Sequence, residues 1–335
     1  MTYPKIELHV HLEGTVRPAT LLKIARRNDY ALPADTEEGL ARLYDFRDFA
    51  HFIEIWILTT NALRTEADFR QVVVDYAAEA AAHGAVYLEA IFSPAERIRN
   101  GVGWDELFGG YADGAQEARE LHGVEVRLTP DIHRGCELDE AEQVVRYSAK
   151  YRERGVVGVG LGGLEAEYPP EPYEPAFTLA RELGLASVPH AGEIVGPPSV
   201  RGALEELGAD RLRHGIRAAE DPGLLREIAD RRVVLDVCPI SNLRTRAVAT
   251  LEEHPLPQLV AGGALCSIST DDPAMFGTDL AKDYDAAVSL GLDPRQAYEA
   301  GVEGAVCDGE TKTRLRAIGQ TFDWAAIDGR GGKVP

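Results

Sequence analysis

Cysteine is scarce. Four thiols, Cys136, Cys238, Cys266 and Cys307, are spread over 335 residues. Their spacing excludes a zinc knuckle and a Cys-x-x-Cys redox pair. Isolated thiols of this kind point to a reducing, cytoplasmic setting. Long apolar runs are also missing. No stretch approaches the roughly 18 residues that a membrane helix needs. The N-terminus lacks the basic-then-apolar pattern expected of a signal peptide. Positive charge is short, with 35 basic residues against 55 acidic ones and a formal net charge of -20. Such a surface repels phosphate backbones and anionic lipid, so neither nucleic acid nor a membrane is expected as a partner. No internal repeat, low-complexity tract or linker divides the chain, which reads as one domain over residues 1–335. Nothing in it marks an oligomeric state.

What is present is a long alternation of strand and helix. Hydrophobic residues make up 45% of the chain, enough for a large core. β-rich runs fall at 5–11, 86–92, 124–129, 156–161, 187–190, 211–214, 233–237 and 264–269. Helical patterns lie between them at 66–83, 105–121, 138–153, 173–183 and 222–231. Thr65 and Asp221 stand where N-caps belong, and Gly84 and Gly184 where helices end. Eight such alternations predict an α/β fold, a (β/α)8 TIM barrel. Residues 30–65 form a helical insertion after the first strand, either a lid over the C-terminal mouth or a packing excursion. After Thr278 the chain reads as extra C-terminal helices to about 318, then a glycine-rich tail.

A barrel gathers functional groups at the C-terminal ends of its strands. His9 and His11 end the first strand, where i and i+2 share one face. His190 ends the fifth strand, in His190-Ala191-Gly192-Glu193, and His214 ends the sixth. Asp271 and Asp272 follow the eighth. Each has a plain structural reading alone: a satisfied core histidine, a turn cap, an Asp-rich turn, a solvated loop acid. All of them falling at one barrel mouth is what random placement seldom gives. Three neutral imidazoles and a carboxylate can hold one zinc and leave room for water, whose pKa then falls to about 7. His51, His83, His122, His133 and His254 have no identifiable partner and read as structural, although His133 follows the third strand and could line the mouth.

The segments His9-Val10-His11-Leu12-Glu13-Gly14, His190-Ala191-Gly192-Glu193, His214-Gly215, Cys238-Pro239-Ile240-Ser241-Asn242 and Ser269-Thr270-Asp271-Asp272-Pro273 occur in this order. On these motifs the chain resembles the adenosine deaminase family of metal-dependent amidohydrolases from about residue 4 to about 318. The resemblance implies a zinc-dependent barrel that removes the 6-amino group of a purine as ammonia, with one zinc per chain. It implies metal ligation by His9, His11, His190 and Asp271. Glu193 would protonate the purine N1, and His214 would orient the attacking hydroxide. Asp272 would bond N7, the Gly163 backbone would reach N3, and Glu13 would lie on the sugar side. Attack at C6 drives electrons onto N1, so an acid there must arrive protonated, which favours a raised pKa.

The departures concern substrate. Glu13 replaces the usual aspartate, and Gly158-Val159-Gly160-Leu161 is similar to the adenine-specific branch. Phe276-Gly277-Thr278-Asp279-Leu280 leans to the nucleoside branch, and the stretch from Leu164 to Tyr173 fits neither. A third branch acts on aminodeoxyfutalosine, a 5′-extended adenosine of menaquinone synthesis. The expected substrate is therefore a small-molecule 6-aminopurine nucleoside, adenosine or a 5′-extended one, with free adenine as the alternative. A different single-metal amidohydrolase reaction is the remaining option. A two-metal site would need a bridging ligand on strand four, and Val159-Gly160-Leu161-Gly162 supplies none.

Overall fold

The first strand, β1 (Lys5–His11), pairs in parallel with β2 (Ala85–Ile91), and β2 pairs with β3 (Glu125–Leu128). These are the opening strands of a parallel (β/α)8 barrel, seen in a computed structural model that describes residues 3–328. β4 (Asp131–His133), β5 (Gly158–Gly162) and β6 (Ala186–Ser187) continue it. β7 (His190–Ala191), β8 (Arg211–His214), β9 (Val234–Val237) and β10 (Leu265–Ile268) complete it. The seam closes at Asp271. Its N–H donates to the His9 carbonyl at 3.1 Å, and its carbonyl accepts from His11 N–H at 2.8 Å.

Among the described residues ten short strands stand where eight were expected, because two are interrupted. Pro130 separates β3 from β4, and Pro189 separates β6 from β7. Proline has no N–H to give a ladder. Its carbonyl still accepts, from Gly160 N–H at Pro130 and from Arg213 N–H at Pro189, both at 3.0 Å. The wall therefore continues through each break.

The helix Glu66–Ala82 starts in a capping box, with Thr65 and Asp68 each accepting from the other's backbone N–H. Helices Pro197–Glu205 and Leu256–Ala261 were not foreseen. Both are short and open next to proline, which reads as turn when no longer pattern follows. The end of the chain is helical further than expected, through Gly309–Thr321 and Ala325–Asp328. The rest of the glycine-rich tail, 329–335, lies outside the described residues.

The insertion holds helices Glu37–Leu43 and Phe49–Thr60. Phe52, Ile55 and Trp56 of the second pack with Tyr44 and Phe46 against Met275 and Phe276, just after the last strand. That contact lays the helix across the barrel mouth.

Deeper in the barrel lies a buried ionic layer. Arg211 donates to Asp236 Oδ2 at 2.5 Å, Glu89 Oε2 at 2.7 Å, and the carbonyls of Gly304 and Leu8 at 2.7 and 3.1 Å. Glu89 also accepts from Tyr87 Oη and Val306 N–H, and Asp236 from Ser267 Oγ, all at 2.7 Å.

Candidate active site

The mouth holds a cleft of about 690 Å³, part of it open to solvent. Its floor is polar and comes from the strand ends. Its roof is apolar and comes from Phe49, Phe52, Ile53, Trp56 and Ile57 of the insertion.

One ligand atom each from His9, His11, His190 and Asp271 lie within 4.8 Å of one another. His190 Nε2 stands 3.0 Å from His9 Nε2 and 3.2 Å from His11 Nε2. Asp271 Oδ1 is 3.2 and 3.3 Å from the nitrogens of His9 and His11. The far side of His190 donates from Nδ1 to the Leu161 carbonyl at 3.0 Å. The Asp236 carbonyl holds His9 from behind, where Cys238 Sγ is 3.6 Å from Nδ1. His9 and His190 then each turn a bare Nε2 inward. Burial holds His11 near 3 and keeps His9 and His190 well below the usual histidine range. Bare nitrogens facing each other at this distance repel unless a cation lies between them. Four donors around a tetrahedral zinc, each about 2.05 Å away, stand roughly 3.3 Å apart, so the donor set fits one. The other Asp271 oxygen accepts from Ser241 Oγ at 2.6 Å. Outer contacts of this kind orient ligands.

Glu193 lies beside this cluster, 5% exposed. Thr245 Oγ1 donates to its Oε1 at 3.2 Å, and His214 Nε2 is 3.4 Å from its Oε2. Burial first, then the charges of Asp271 and Glu165, push its carboxyl well above the usual range. It is suited to carry a proton. Asp272 is raised for the same leading reason, and Trp56 Nε1 donates to its Oδ1 at 2.7 Å. Gly14 makes room for it, since a Cβ there would collide with the Asp272 carboxylate. His214 and Asp271 both sit in the left-handed region, φ 61° and 66°. Such backbone strain in non-glycine residues clusters at functional sites. Gly163, φ 115°, lines the cavity beside the His133 ring.

Glu13 is a correction. It was expected to face the sugar side, and it lines no part of the cavity. It is 2% exposed and turned inward, accepting from Ser93 N–H at 2.9 Å with Arg97 3.8 Å away. The chain leaves β1 into a 3-10 turn, Leu12–Thr15, so the two-residue alternation ends at His11. Ser93, Glu96 and His133 occupy the cavity wall instead.

Four residues escaped the sequence reading. Glu165 accepts from Gly192 N–H at 2.6 Å, Ile194 N–H at 2.8 Å, Val195 N–H at 3.0 Å and Ser199 Oγ at 2.6 Å. Its carboxylate thus clamps the turn that carries Glu193. Trp56 ties the roof to Asp272. Asn242 and His254 lie behind His214. Asn242 belongs to a motif already noted, which was its only signal.

The adenosine deaminase family model matches residues 4–318. An aminodeoxyfutalosine deaminase of Acidothermus cellulolyticus is 53% identical over 96% of this chain and 92% of its own. The crystal structure of an adenine deaminase from Arthrobacter aurescens superposes with TM-score 0.90 at 30% identity, covering 95% of this chain and 98% of that one. An amidohydrolase from Burkhoderia ambifaria, solved with bound Zn, superposes with TM-score 0.85 at 28% identity, over 97% and 90%. With the family's motifs assembled at one barrel mouth and its model matched over nearly the whole length, this chain belongs to the adenosine deaminase family and is a deaminating hydrolase.

Proposed function

We propose that the chain binds one zinc and hydrolyses the 6-amino group of a 5′-extended adenosine of the aminodeoxyfutalosine type, releasing ammonia and the 6-oxopurine. The observation that carries the chemistry is Glu193, a carboxyl whose pKa burial raises, beside a four-donor cage. Substrate choice is supported by the 53% identity to the Acidothermus cellulolyticus relative. This reading places the chain in menaquinone synthesis. Four free thiols accord with a reducing cytoplasm.

His9, His11, His190 and Asp271 would hold the zinc, which when bound supplies a Lewis acid that brings the pKa of water toward about 7. Glu193 gives its proton to N1 as water attacks C6, so electrons leaving the ring meet an acid rather than solvent. His214 orients the attacking oxygen and stabilises its charge. Asp272, whose pKa burial raises, would donate to N7. The Gly163 backbone meets N3, which directs the sugar toward His133, Glu96 and Ser93. The apolar roof excludes water from this pocket.

The test is kcat/KM for adenine, adenosine and aminodeoxyfutalosine side by side, on protein whose zinc content has been measured. The extended nucleoside should rank first. Binding of a non-reacting group can lower the barrier, so removing the extension should reduce kcat as well as raise KM. Adenine ranking first would assign the chain to free-base deamination. A metal content near zero would refute the zinc site.

A further inference from the structure

His254 lies eleven residues beyond Leu243, outside every cluster of metal ligands, and is 2% exposed. Its hydrogen bonds can be read in one direction only. Leu256 N–H is 3.0 Å from His254 Nδ1. A backbone N–H can only donate, so Nδ1 accepts and the ring proton sits on Nε2. Nε2 is 3.1 Å from Asn242 Oδ1. Turning the Asn242 amide over would place its NH₂ against Nε2. Both ring nitrogens would then have to accept, which only an imidazolate could do. The amide orientation is therefore fixed.

Asn242 Nδ2, 3.2 Å from His214 Nδ1, must donate to it. His214 Nδ1 accepts, and the single ring proton lies on Nε2. That nitrogen faces Glu193 Oε2 at 3.4 Å and Asp271 Oδ2 at 3.8 Å. Every residue in this relay is buried. No water competes for its bonds, and a half-satisfied member would be costly.

We propose that His254 is a positioning residue which, through Asn242, fixes His214 as its Nε2–H tautomer. His214 then meets the attacking oxygen as a hydrogen-bond donor and cannot take that oxygen's proton. Burial supports this by pulling the His254 pKa to about 4, so the relay stays neutral through the ordinary working range. The tautomer depends on no substrate. Its consequence for turnover rests on the function proposed above.

The experiment uses zinc-loaded protein with nitrogen-15-labelled histidine. In wild type, His214 should show a protonated Nε2 and an unprotonated Nδ1. Asn242→Asp keeps the shape but offers two acceptors. It should draw the His214 proton onto Nδ1 and leave Nε2 bare toward Glu193. An inverted tautomer should cost kcat at least about 100-fold. KM should change by less than about threefold, since ground-state contacts are kept. His254→Phe removes both ring nitrogens and frees the amide to turn. It should give mixed tautomers and a smaller fall in kcat, about tenfold, as for loss of one hydrogen bond. A proton on Nδ1 in wild type would overturn the proposal. So would an Asn242→Asp protein that keeps Nε2–H, or that keeps wild-type turnover with the proton moved. If the tautomers behave as stated while wild type deaminates none of the three purines, the relay stands and the proposed function falls.

Discussion

Two polar layers share the inside of this barrel, the deeper one fully buried and the one at the mouth nearly so. In the deeper one, Arg211, Glu89 and Asp236 meet one another and the surrounding carbonyls and hydroxyls. None of their side-chain atoms lacks a partner. At the mouth, His11 Nδ1, Glu13 Oε2 and Glu96 Oε2 have none. There burial raises the carboxyl pKa of Glu193 and of Asp272, and two residues of the site, His214 and Asp271, adopt left-handed backbone. The same chemistry of desolvation serves opposite ends. Where every lone pair is matched, burial makes a rigid support. Where the matching is left open, burial stores reactivity that a substrate or a cation can use.

The contrast can be broken at its deep end first. Arg211→Met should remove about 3–5 kcal/mol of stability, because Glu89 and Asp236 are left buried and uncompensated. Chemical denaturation reads this loss, and the folded fraction should keep its kcat. A variant of wild-type stability would mean that the deep layer is no support. At the mouth the expectation reverses. Glu193→Gln keeps the volume, removes the transferable proton and should lower kcat at least about 100-fold with zinc still bound. Its stability should hold or rise, since a carboxyl under desolvation and charge pressure has been replaced by a neutral amide. Turnover at the wild-type rate would move the acid elsewhere.

Glu165 sharpens the boundary between the layers. Its hydrogen bonds go only to backbone amides and Ser199, as a support's would, yet those amides flank Glu193. Glu165→Gln removes its charge and turns a donor toward amides that need acceptors. We expect kcat to fall about tenfold with little change in KM, as for one or two lost hydrogen bonds. An effect on melting temperature alone would class Glu165 with the deep layer.

How much of this was legible in the sequence follows from distance along the chain. His9, His11, His190, His214 and Asp271 could be placed because each lies at or just beyond the end of a predicted strand, and the barrel rule says where strand ends meet. Glu13 was placed by the resemblance alone, and strand alternation could not check it, since the 3-10 turn begins one residue before it. Glu165, Trp56 and His254 act across loops, and loop closure leaves no periodic trace. Pro130 and Pro189 were visible, but not that the strand would resume beyond each of them.

Asp271 joins the two ends of the chain twice, by its backbone at the barrel seam and by its carboxylate in the donor cage. Ribosomal synthesis delivers His9 early and Asp271 some 260 residues later. Until the last strand has emerged and docked on the first, the nascent chain has at most three imidazoles on separate, unclosed segments. Metal capture would then be a late event in the life of each molecule, tied to a contact that spans most of the chain. A chain that stalls or is clipped before Ser269 would expose histidines without forming a competent site. Bound zinc would thus serve as a mark of completed folding.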